Sequence, residues 1–175
     1  MSRPTFVEVD GRRVRVRVDG DPANPPVLLL HGIGRSLDDW APQHERLASA
    51  HRVIAIDVPG FGFSERPVGP ITLSAFAKGA LGAVDVLGET RPLNIIGNSL
   101  GGAIALQTLA LRPERVSSLV LVNSAGFGRE VTLLLRVLAV PSSAAISRIS
   151  GPKCGCFPIA IACSMRSLVA RDRSA

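Results

Sequence analysis

Hydrophobic and polar residues change their spacing several times along this chain, and each change marks an element. "TFVEVD" and "RRVRVRV" alternate with a period of two, the signature of half-buried strands, and Asp10-Gly11 between them makes a hairpin turn. "PVLLL" (Pro26 to Leu30) and "RVIAIDV" are continuous apolar runs, as expected for strands covered on both faces of a parallel sheet. "LNIIGNS" and "RVSSLVLVN" (Arg115 to Asn123) are two further strands. Helical stretches lie between them. One is capped by Ser36, carries Asp38 and Asp39 in its first turn and runs through Ala50. A second opens at Thr72 or Ser74 and keeps Ala77, Leu81, Val84 and Leu87 along one face. The third is "SLGGAIALQTLALR". Strands alternating with helices predict an α/β fold with a mostly parallel sheet and flanking helices.

Beyond Val140 the pattern stops. "PSSAAISRISGPKCGCFPIAIACSMRSLVARDRSA" has no clear period and holds all three cysteines, Cys154, Cys156 and Cys163. The predicted organisation is a core over residues 1–128, then the start of a cap and a poorly ordered tail over 129–175. Such a tail fits a fragment or a shifted reading frame. It would leave the sheet without its last strands and "SSLVLV" as a bare apolar edge open to self-association.

Composition narrows the function classes. A chain of 175 residues suits one domain. The net charge of +6 resides mostly in the tail, since residues 1–140 carry 15 Lys+Arg against 13 Asp+Glu. No clustered cationic stripe remains to bind nucleic acid. "MSRPTFVEVDG" has no apolar signal core, and the Val131–Val140 run is broken by Arg136, so no membrane segment is expected and the cytoplasm is the expected compartment. The Cys-x-Cys spacing with no histidine nearby does not make a zinc site, and neither metal nor cofactor is expected.

The chemistry concentrates in "NIIGNSLGG". Gly97-Asn98-Ser99-Leu100-Gly101 has the G-x-S-x-G spacing, set between an apolar strand and a small-residue helix, that presents a serine on a tight strand-to-helix turn. Gly97 and Gly101 flank the serine because side chains there would collide across the turn. "LLLHGIGRS" supplies a second loop after a buried strand, containing His31 and Gly32. The backbone N–H of Ile33 (or Gly32), with that of Leu100, is suited to form an oxyanion hole. "DVPGFGFSERP" is a third glycine- and proline-shaped loop at a strand's end.

Together, "HGIG", "DVPGFGFS" and "GNSLG", in this order, resemble the α/β-hydrolase superfamily, in its cap-bearing branch of esterases and C–C bond hydrolases. The resemblance covers about residues 5–128. It implies an α/β-hydrolase fold and a small ester, thioester or vinylogous diketone substrate, cleaved through an acyl-enzyme on Ser99. His31 is then a structural loop residue.

Two other readings stand beside this one. Gly32-Ile33-Gly34-Arg35-Ser36-Leu37, with Asp57 ending the next strand, is nearly a dinucleotide fingerprint, although Leu37 stands where the third glycine belongs. The second starts from the missing partners of Ser99. The triad of this fold runs Ser, then Asp or Glu, then His, and no histidine follows Ser99. The only histidines are His31, His44 and His51, the last two reading as surface residues. Of the later acids, Glu114 belongs to the wrong end of the sheet, Glu130 to the cap and Asp172 to the tail. The chain is therefore expected to be inactive by itself, or a non-catalytic remnant serving as a binding module.

Overall fold

The computed structural model describes residues 2–124 and the strand Ala160–Ser164. Strands β1 (Thr5–Val9) and β2 (Arg12–Asp19) form an antiparallel hairpin. Its two turn residues, Asp10 and Gly11, both take positive φ (50° and 71°), the geometry whose twist matches that of the flanking strands. Four parallel strands follow: β3 (Pro26–Leu30), β4 (Arg52–Ile56), β5 (Leu93–Asn98) and β6 (Val116–Val122). With the antiparallel β7 (Ala160–Ser164) the sheet runs β1-β2-β4-β3-β5-β6-β7. The mostly parallel α/β layering predicted from the alternation is present.

Each apolar run buries its two faces against different layers. On one face α2 (Leu73–Val86) and α3 (Leu100–Leu111) cover Leu28, Leu30, Ile54, Ile56 and Ile95, with Ala77, Ala80, Ala83 and Ile104 at the contact. On the other, Val27, Leu29, Val53 and Ala55 meet Leu37 and Trp40. The helix predicted from Ser36 through Ala50 is shorter and in two parts. Ser36 caps a 3₁₀ turn over Leu37–Trp40, accepting the Asp38 N–H, and α1 covers only Ala41–Leu47. Pro42 stands in the first turn of α1, where its missing N–H is tolerated.

The bare edge expected at β6 is corrected by the structure. Strand β7 pairs along β6 from Ser118↔Ser164 to Val122↔Ala160. An apolar edge with free N–H and C=O groups recruits a strand wherever one can reach it, and "AIACS" does so despite the weak pattern around it. The remainder of the predicted tail, with Glu130 and Asp172, lies outside the described residues. Among the described residues no helix is long and apolar enough to cross a membrane.

At the amino ends of the parallel strands, Glu89 is buried and gathers the connections. Its carboxylate accepts from Arg52 Nη1 at 3.0 Å and from Arg91 Nε at 2.9 Å and Nη2 at 2.7 Å. Arg115 donates to the Glu89 carbonyl at 2.8 Å, and Arg91 reaches on to the carbonyls of Pro22 and Ala23. These guanidinium bonds, Arg91's above all, hold the Glu89 carboxyl down at about 2 against burial, which opposes its ionisation.

Candidate active site

From β3 the chain passes to β4 on one side, and from β4 it crosses back over β3 to β5 on the other. This reversal opens a crevice at the carboxyl ends of β3 and β5, where open α/β sheets bind ligands. The loop from His31 to Ser36 and the turn from Asn98 to Gly101 border that crevice.

Ser99 lies between β5 and α3 with φ 52° and ψ −113°, a backbone conformation costly for any side-chain-bearing residue. Packing on every side holds it there. Its N–H donates to Val122 of β6 at 3.0 Å, and its carbonyl accepts from Gly102 at 3.1 Å and Ala103 at 3.3 Å. A Cβ on Gly97 would lie 2.4 Å from the Gly101 carbonyl oxygen, and one on Gly101 would lie 2.1 Å from that of Leu30. Both positions thus require glycine, and Gly101 lets α3 start directly against β3. Gly32 faces the serine: a Cβ there would stand 3.4 Å from Ser99 Cβ.

The N–H of Leu100, at the first turn of α3, has no acceptor within its helix. Ile33 follows Gly32, whose carbonyl is engaged by His31 Nδ1 at 2.7 Å and by the Arg35 N–H at 3.3 Å. In a trans peptide the C=O and N–H point in opposite directions. The Ile33 N–H is therefore turned away from the His31 ring, and its side chain stays largely exposed.

His31 is buried and both ring nitrogens are used. Nε2 accepts the Val58 N–H at 2.9 Å, which leaves the proton on Nδ1 to be donated to Gly32 O. Burial pushes its pKa below the usual histidine value, against the opposing bond to Gly32. A neutral ring with both nitrogens bonded cannot accept the Ser99 proton. The other two histidines, read from sequence as surface residues, need correction. His44 is buried, with Nδ1 3.2 Å from Asp19 Oδ2 and Nε2 3.4 Å from the Arg17 carbonyl; its pKa too is lowered by burial. His51 is half-buried just before β4, at the far end of the sheet from Ser99. The partners that take His44 inward, Asp19 and the Arg17 carbonyl, come from β2, an element distant in sequence. Asn123, after β6, also has positive φ (45°), and Glu114 pairs with Arg112 beyond α3.

The sequence places Asp57 at a strand's end, opening the "DVPGFGFS" loop and standing as the acid of the near-fingerprint, but gives it no structural role; in the fold it organises the crevice. Fully buried, it accepts the Leu37 N–H on Oδ1 at 2.6 Å and the Phe63 N–H on Oδ2 at 2.8 Å, with Arg15 Nη1 3.4 Å away. Gly62 packs so closely that a Cβ would stand 2.2 Å from Oδ2. One carboxylate thus joins the loops after β3 and β4. The sequence signal was an acid ending an apolar strand beside Pro-Gly, where only a satisfied charge can be buried. With these partners the Asp57 carboxylate is not free to take a ribose hydroxyl, and Leu37 fills the core where a dinucleotide loop needs glycine.

The chain is similar to several known proteins. A dihydrolipoyllysine-residue acetyltransferase component of an acetoin cleaving system, from Pseudomonas putida, is 37% identical over 128 residues, covering 73% of this chain and 34% of its own. A 2-hydroxymuconate semialdehyde hydrolase from Pseudomonas sp. is 36% identical over 129 residues, covering 71% of this chain and 45% of its own. Naproxen esterase from Bacillus subtilis superposes with a TM-score of 0.62 at 30% identity, over 67% of this chain and 41% of that one. The chain spans less than half the length of these proteins. The sequence model of the alpha/beta hydrolase fold matches residues 25–141, two loops and elbow included, and the chain belongs to that family.

Proposed function

We propose that this chain carries the nucleophile half of a serine hydrolase acting on a small ester, thioester or activated C–C bond in the cytoplasm. Ser99 Oγ attacks the carbonyl carbon, and its proton passes to a base. The oxyanion is held by the N–H groups of Ile33 and Leu100, and the leaving group departs protonated. Water then hydrolyses the acyl-enzyme. The observation that carries this reading is the positive-φ Ser99 at a strand–turn–helix junction, with Gly32 packed against its Cβ. Such strain is kept where surrounding packing enforces it and function uses it. Hydrolase and esterase relatives at 36% and 30% identity support the same class.

The base is the missing part. Among the described residues, no histidine has a ring nitrogen available to Ser99. Removing the histidine of a serine protease costs on the order of a million-fold in turnover, with a residue left from the oxyanion hole. We therefore expect p-nitrophenyl acetate hydrolysis by the 175-residue chain to match a Ser99→Ala control. A fluorophosphonate should label Ser99 slowly and nowhere else. Fast esterase activity that survives Ser99→Ala, or labelling at another residue, would overturn the assignment. A second reading, a binding module without turnover, is favoured by the same lack of an available imidazole. Catalysis restored by joining a downstream Asp- and His-bearing segment would exclude it.

A further inference from the structure

Between the β1–β2 turn, the loop over residues 65–70 and the first turns of α2 lies a cavity of about 320 Å3. It shares no residue with the loops that border the crevice around Ser99. We propose that it binds a short aliphatic carboxylate, with the tail against its apolar wall and the charge beside Arg12 and Lys78.

Val14, Pro59, Pro67, Val68 and Pro70 supply the apolar wall. α2 comes close against Pro59 because Gly79 has no side chain: a Cβ there would lie 2.8 Å from Pro59 Cγ. The loop is pinned to the hairpin as well. The Glu65 N–H donates to the Arg13 carbonyl at 2.9 Å, and the Glu65 carbonyl accepts the Gly60 N–H at 2.9 Å. The three prolines fix φ at their positions, so the shape exists before a ligand arrives and binding has little ordering to do. Val14 and Pro59 are buried, whereas Val68 is 66% exposed. A tail lying in the cavity takes that apolar area out of water.

Charge selects the head group. Arg12, Lys78, Asp10 and Glu65 are the charged residues of the lining. Glu65 is already matched, since it accepts the Arg13 N–H at 2.9 Å and lies 3.5 Å from Arg13 Nε. The side chains of Arg12, Lys78 and Asp10 make no hydrogen bond or ion pair among the described residues, and Arg12 acts on Glu65 only beyond ion-pair reach. Two cations against Asp10 leave one positive charge uncompensated, which fits a monoanion. Both cations are exposed, so their heads meet a carboxylate without leaving water. Phosphate gains nothing from the apolar wall, and a neutral alcohol gains nothing from the cations. The volume is near the lower end of ligand pockets, about 300 Å3, which suits a short chain. The inference does not depend on Ser99 being a nucleophile.

The test is a titration of the nitrogen-15-labelled 175-residue chain with hexanoate. We expect the amide resonances of Val14, Ala75, Lys78 and Gly79 to shift and saturate, in the wild type and equally in Ser99→Ala, while those of Leu100 and Gly101 stay in place. 1-Hexanol, with the same tail and no charge, should need a much higher concentration, and phosphate should leave these amides unmoved. Replacing Arg12 and Lys78 together by Met should weaken hexanoate binding about tenfold, as expected for lost hydrogen bonds to a charged group. Shifts confined to Leu100 and Gly101, a linear drift without saturation, or an equal response to 1-hexanol or phosphate would overturn the proposal. So would an undiminished response in the folded double variant. If that variant does not fold, the wild-type titrations with the three compounds decide alone.

Discussion

At Ser99 and its glycine neighbours, single atoms decide whether the turn can exist. A methyl group on Gly101 would meet the Leu30 carbonyl oxygen at 2.1 Å, a backbone atom inside the sheet that cannot yield. We expect Gly101→Ala to lower stability by about 3 kcal/mol, the upper range for overpacking. Gly34 is a fair comparison: it has positive φ (69°) but nothing within 4 Å of a Cβ. Gly34→Ala should cost only the left-handed penalty, about 1 kcal/mol. Urea unfolding of both variants checks the difference, and equal losses would show that packing at Gly101 is not what demands glycine. Glu89 makes the electrostatic counterpart. Its carboxyl titrates at about 2 in the fold against 4.5 ordinarily, so the folded state favours the ionised form. Its contribution is complete above pH 4.5 and is lost as the pH falls towards about 2. Glu89→Gln should cost about 3 kcal/mol at neutral pH by leaving buried guanidinium groups without their counter-charge. It should also flatten the fall in urea midpoint between pH 4.5 and 2; an unchanged acid limb would reassign that titration to other carboxylates.

Among the elements, the connections matter more than the strands. The loops after β3 and β4 insert Leu37, Val58 and Phe61 into the core and are tied to each other by shared polar anchors. Asp57 takes one N–H from each, and His31 takes the Val58 N–H while giving its own proton to Gly32. Asp57→Asn would place an amide NH2 against N–H donors on one side. Hydrogen bonds to a charged acceptor contribute about 1.5–3 kcal/mol each, so a loss of about 3 kcal/mol is expected. The Leu37 and Phe63 amides should lose hydrogen-exchange protection together while those of β5 keep theirs. Protection lost at only one of the two loops would mean that Asp57 does not couple them.

For the whole molecule the question is how the sheet ends. β7 supplies the ladder that β6 would otherwise leave open. Proline at both Ile161 and Ala162 would remove backbone donors from the centre of that strand. We expect the double variant to sediment with a concentration-dependent increase in mass, as an uncovered edge templates pairing with another copy. The wild type should sediment independently of concentration over the same range. A variant as monodisperse as the wild type would show that β7 is not what guards the edge. The chain spans less than half of relatives such as the Pseudomonas hydrolase, so activity measured on it alone tests only this part of the fold.

The periodicities alone determined the hairpin, the four buried strands and the α/β layering, because burial on one face or two writes itself directly into residue spacing. They also located the elbow: glycines at Gly97 and Gly101 around Ser99, between a strand and a helix, are a local pattern with a local cause. Other features became visible only in three dimensions. "PQHERL" does not say that His44 packs inward on Asp19, nor does "HGIG" say that Val58 fills the second nitrogen of His31, since those partners come from elements distant in sequence. "DVPGFGFS" marks Asp57 as an acid at a strand's end, but not that the Leu37 and Phe63 loops converge on its carboxylate. The pairing of "AIACS" with β6 was hidden for a related reason. A short apolar segment has little preference of its own, and the open edge beside it, a tertiary feature, decides its state.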